Sequence, residues 1–379
     1  MNDWIIELLH CWIVGKTKPI NLFIHSSTNP FVRFFSFRVT AILIAAFVLP
    51  SFCFAQKIPN DSIHEKILAG VDLTLQQNYP AAEKMFRAAI VLDPRNPAGY
   101  VYLAGALQAE YSDYESSFDE KLFDSLLEKS QLLAETYLSS KETQAWGYYY
   151  EGTTLSYRAF WKSENGNVVG AILDGMNAAR MFEQCLKITP DFFDAMSGLG
   201  TYYYWRSKKT EMLSWLPFVS DRRNEGIEMI SKTITQGTCN KYLAMSSLMW
   251  IDFEEQRYHD AAALAQKALA QYPDNRSFLW GLMSADEKLK DSTAVKKTVQ
   301  RLLASTLSAP VRNIYAEVTC RLKLAQFAMN EHRYQEAIDQ CGTIERYASD
   351  EGKTHRDIGP KLKAAQQIKA DAQKMVLLK

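Results

Sequence analysis

One stretch, YPAAEKMFRAAIVLDP at residues 79–94, constrains the fold of this chain more than any other. Tyr79, Ala82, Phe86, Ala89 and Ile90 are spaced so that their side chains share one face of an α-helix, and Asp93-Pro94 ends it. The same offsets hold Gly175, Ala178, Phe182, Cys185, Leu186 and Pro190, and again Tyr258, Ala261, Ala265, Ala268, Leu269 and Pro273. A fainter copy holds Tyr334, Ala337, Cys341 and Ile344. An apolar helix face must be covered. A chain that repeats one such face covers each copy with its neighbours, which predicts a stack of helix pairs rather than a single globular core.

The pattern resembles the second helix of a tetratricopeptide repeat (TPR). It implies an all-α, right-handed TPR-like solenoid of about seven helix pairs with a capping helix near 360–375. The small pair Ala69-Gly70 is the expected point of close approach in the first unit. Ser62 with Glu65 reads as a capping box for the first helix. Units two and six carry little of the pattern. In unit four, residues 194–205 are read as the first helix and residues 206–220 as an insertion. A second helix follows, capped by Ser220 or Asp221 and closed by Gly237.

As a whole, the chain beyond residue 55 resembles a bacterial TPR protein of the cell envelope. Unit four is also similar, over residues 198–226 only, to a eukaryotic TPR family linked to the mitochondrial outer membrane. The shared features are Gly198 and Gly200, Leu216-Pro217, and Asp221-Arg222 with Gly226. They imply that the insertion is a structural element.

The first 55 residues differ in kind. Arg33 and Arg38 precede an apolar run at 41–55, and Cys53 and Ala55 are small residues before Gln56. A basic segment, a short apolar run and a small-residue cleavage site predict a signal peptide cut after Ala55 and a periplasmic or secreted product. The alternative is an uncleaved membrane anchor, for which the run is short. Residues 1–31 precede the usual start of such a peptide, which points to translation beginning near Val32. The predicted division is thus 1–55 as leader and 56–379 as solenoid.

The 43 basic and 43 acidic side chains balance, which argues against nucleic acid as a partner. Cys185, Cys239, Cys320 and Cys341 form no Cys-x-x-Cys pair, and His64, His259, His332 and His355 have no metal-binding spacing. No catalytic residue, metal or cofactor is expected. Aromatic residues are the functional lead. Counting along the first helices makes Tyr149, Tyr150, Thr201, Tyr204, Trp205, Trp250 and Phe253 groove candidates, with packing between repeats as the other reading. The expected function is a non-catalytic scaffold binding a peptide or protein segment on its concave face. The alternatives are an envelope-associated structural protein touching membrane or a subunit through residues 206–220, and a protein that binds or hydrolyses a glycan or lipid.

Overall fold

The computed structural model describes residues 57–116, 119–213, 220–350, 354 and 356–378. The expected leader, the Val32 start and Leu216-Pro217 of the insertion lie outside the described residues. The described residues form fifteen α-helices and two short 3-10 turns. Seven pairs follow one another. They are α1 Asp61–Leu75 with α2 Tyr79–Leu92, α3 Pro97–Tyr114 with α4 Glu120–Tyr137, and α5 Gln144–Glu164 with α6 Val168–Ile188. Next come α7 Phe193–Lys209 with α8 Arg223–Gln236, α9 Lys241–Glu254 with α10 Tyr258–Gln271, α11 Arg276–Leu289 with α12 Ser292–Ser308, and α13 Ile314–Asn330 with α14 Tyr334–Glu345. A last helix, α15 Gly359–Leu377, packs on α13 and α14.

Every helix packs on the next in the chain. The first helices of successive pairs also touch, in the order α1, α3, α5, α7, α9 and α11. Neighbours that approach more closely on one side curve a stack toward that side. The first helices are therefore the inner layer of an all-α, TPR-like solenoid.

Small residues set how closely the layers meet. A methyl group on Gly70 would collide with the Phe86 ring, so α1 and α2 close up only because that position is bare. The repeat also has a backbone mark. Gln77, Gly166, Gln256, Lys290 and His332 all take positive φ two residues before a second helix. Each reverses the chain in one left-handed step, a conformation that side chains resist and turns require.

Several boundaries differ from expectation. Asn60 caps α1, accepting the Ile63 amide at 3.1 Å, so the Ser62–Glu65 capping box does not form. Helix α7 runs to Lys209, so the first part of the expected insertion is helical. Helix α8 starts at Arg223 without a side-chain cap, while Asp221 accepts the Arg223 amide at 3.0 Å. Gly237 does follow its end, in extended rather than left-handed backbone.

Candidate functional site: the inner wall and its seam

The seven groove candidates divide by burial. Tyr149, Tyr150 and Tyr204 are wholly buried, and Thr201 and Trp205 nearly so. The expectation of a direct contact surface at these five is corrected. They are the filling of the wall, because inner helices packed on both neighbours and on their own partners have little free face. Trp146 packs on Phe192 at 4.7 Å and on Tyr150 at 5.4 Å between ring centroids, and Tyr149 on Phe192 at 5.0 Å. Of the seven, only Trp250 and Phe253, on α9, keep some surface; they are partly buried against the core, their centroids lie 5.7 Å apart, and Phe253 also packs on Tyr258 at 5.4 Å.

Buried tyrosines bring polar tips that need partners. The Tyr102 and Tyr149 hydroxyls lie 3.0 Å apart, and the Asn240 side-chain amide donates to Tyr149 at 3.2 Å. Asn240 also donates to the Asp194 carbonyl at 3.0 Å. The buried Asp194 carboxylate accepts the amides of Thr238, Cys239 and Asn240 at 3.0–3.1 Å. Burial raises its pKa, and those three amides oppose the rise. Asp194 thus anchors the turn into α9 rather than facing a substrate. The sequence signal was a lone acid opening an apolar helix, which does not disclose a partner over forty residues away.

Unit four owes its glycines to a backbone crossing. A methyl group on Gly200 would meet the Gly226 carbonyl oxygen at 2.6 Å. Arg222 lies 3.3 Å from the Tyr203 ring centroid, a cation–π contact, and its guanidinium donates to Glu225 at 2.6 Å. Gly200, Gly226 and Arg222 of the local resemblance are therefore packing residues.

A second feature had no legible sequence signal. The first two units are bolted to the second half of the chain across some two hundred residues. Tyr272 donates to Asp72 at 2.7 Å, and Asn275 to the Leu75 carbonyl at 2.8 Å. Arg276 donates from Nε to Asp113 at 2.6 Å and makes a second bond to it from Nη2. Both members of that pair are over nine-tenths buried. Tyr79 donates to the same carboxylate at 2.9 Å, and Asn313 to the Asp113 carbonyl at 2.8 Å. Arg356 pairs with Glu115 at 3.1 Å. The superhelix therefore closes on itself along a polar seam.

The chemistry of the remaining groups is quiet. Among the described residues, Cys185, Cys239, Cys320 and Cys341 are buried and free. Burial pushes all four thiols up, Cys320 to about 12 and Cys341 to about 11, so they remain protonated near neutral pH. No group of three or more metal-ligating side chains occurs among the described residues. A cleft of about 220 Å³ between α11, α12 and α13 is lined by Glu287, Lys323 and Phe327, and Lys323 is paired with Glu287. No helix of the described residues is long and apolar enough to cross a membrane.

No protein-family model matches the chain, and no curated protein does. Solved structures do. The crystal structure of yeast Tom70 aligns over 85% of this chain and 66% of its own length, just under two thirds, at 12% identity and a TM-score of 0.41. The TPR domain of P58(IPK) aligns over 82% of this chain and 99% of its own, at 14% identity and a TM-score of 0.27. Superpositions this loose bear on neither function nor partner, and the solenoid rests on the helix pairs described above.

Proposed function

We propose that the protein is a non-catalytic, secreted or periplasmic scaffold that holds a peptide or protein segment on its inner layer. The supporting observation is the pair Trp250 and Phe253. These are partly buried aromatic side chains on an inner helix that buried Ala244, Met245 and Met249 lock in place. Rigid aromatic anchors on a packed helix bind with little loss of side-chain freedom. The closed seam adds rigidity, because it fixes the curvature of the surface offered to a partner.

The test is capture of envelope proteins by the full chain, compared with Trp250→Ala and Phe253→Ala. Loss of specific capture with an unchanged melting temperature is expected. Unaltered capture by both variants sinks the assignment of the site, and unfolding of both would place the residues in the core. Fractionation tests the location: release of the protein by osmotic shock is expected, and recovery in the cytosolic fraction contradicts it.

A further inference from the structure

The outward face of α6 carries an apolar stripe that no other helix among the described residues covers. Val169, Ile172, Leu173 and Met176 stand at i, i+3, i+4 and i+7, with 71%, 45%, 55% and 38% of their surfaces exposed. Large apolar groups gathered in this way, rather than scattered, mark a contact surface. The stripe is short, about 10 Å along the helix axis. It ends at Asn165-Gly166-Asn167 on one side and at exposed Arg180, then Lys187, on the other. The acid on this line, Glu183, is already engaged: Tyr203 donates to it at 2.7 Å and Arg222 lies 3.7 Å away.

We infer that this face is a docking site for an amphipathic helix of another protein, whose two-turn apolar face runs on into acidic side chains that meet Arg180 and Lys187. Charge selects this occupant. A second copy paired antiparallel across the stripe would bring Arg180 to the amino end of the partner's α6, where the helix dipole is positive. Paired parallel, Arg180 would face Arg180. A lipid surface holds a helix in proportion to the apolar area it buries, and two turns bury little. An acidic-ended helix satisfies both the apolar stripe and the cations beyond it, of which Arg180 donates to the neutral Asn177 side chain at 3.0 Å and neither pairs with an acid among the described residues.

Two labelled synthetic amphipathic peptides with the same leucine stripe, one ending in glutamates and one in lysines, test this against the full chain by fluorescence anisotropy. The glutamate peptide is expected to bind about tenfold or more tightly than the lysine peptide. Leu173→Glu should abolish that binding with the melting temperature unchanged, and Arg180→Glu with Lys187→Glu should reverse the preference. Equal or absent binding of the two peptides, or binding indifferent to Leu173→Glu, overturns the proposal. Two other results overturn it by naming a different occupant. One is a concentration-dependent dimer in sedimentation that Leu173→Glu dissolves. The other is sedimentation with phosphatidylglycerol vesicles that Leu173→Glu abolishes.

Discussion

The pairs α5–α6 and α9–α10 solve the same packing problem with opposite materials. The first is filled with Trp146, Tyr149, Tyr150, Phe160 and Phe182, and its tyrosines carry polar tips into the interior. The second is filled with Ala261, Ala262, Ala265, Ala268 and the flexible Met245 and Met249. Large rings need room, which Gly152 gives Phe182, and a buried polar tip needs a specific partner, which Asn240 gives Tyr149 and nothing among the described residues gives the Tyr150 hydroxyl. Alanines let helices close up and demand nothing but room. One repeat pattern therefore tolerates very different cores, and the aromatic one is the more specific in its requirements.

The sharpest test of that contrast is Tyr149→Ala. It removes a fully buried ring and leaves Asn240 and Tyr102 without a shared partner, so a loss of ~4 kcal/mol is expected in chemical denaturation. A loss under ~1 kcal/mol would erase the distinction between the two cores. Next is Asp113→Ala at the seam. Arg276 is left buried and uncompensated, at a cost of ~3 kcal/mol. The two unlike halves should then unfold in separate calorimetric steps, and the scattering radius should grow. A single sharp transition with an unchanged radius would show that the seam couples nothing.

In the alanine-filled pair, Ala265→Leu should cost ~2 kcal/mol by overpacking, where a truncation has nothing to remove. Asp286, on α11 beyond that pair, gives the smallest effect and the opposite sign. Burial and nearby Asp291 raise its pKa to about 6. The folded chain therefore binds this proton more tightly than the unfolded chain does. That contribution is complete below the unfolded carboxylate value and is lost as pH rises from about 4 to about 6. Asp286→Asn should stabilise the protein by ~1 kcal/mol above pH 6 and flatten the melting temperature across that window. An unchanged pH profile would remove Asp286 from the account.

Much of the fold was legible because helix periodicity is local. Phe86, Phe182 and Ala265 recur at one offset and are all buried where that offset places them. Cys185 stands where Ala89 and Ala268 do, Cys341 stands where Phe86, Phe182 and Ala265 do, and both are buried. The left-handed turn residues could have been read too, since Gln77, Gln256 and His332 each stand two places before a repeat tyrosine. The site was less legible. Counting along the first helices gave Trp250 and Phe253 the same rank as Tyr149 and Trp205, because a helical wheel does not distinguish a face turned to solvent from one turned to the next repeat.

By itself, then, the sequence determined the helices, their pairing and the need to stack, since each follows from apolar spacing within about thirty residues. The tertiary structure alone decided which aromatic side chains are wall and which are surface. It also decided that Asp113 meets Arg276, and that the stripe from Val169 to Met176 faces outward, uncovered by any described helix. Those outcomes depend on how small rotations between successive pairs add up along the stack. A curvature built from many such increments brings residues two hundred apart into contact, and no local pattern records the sum.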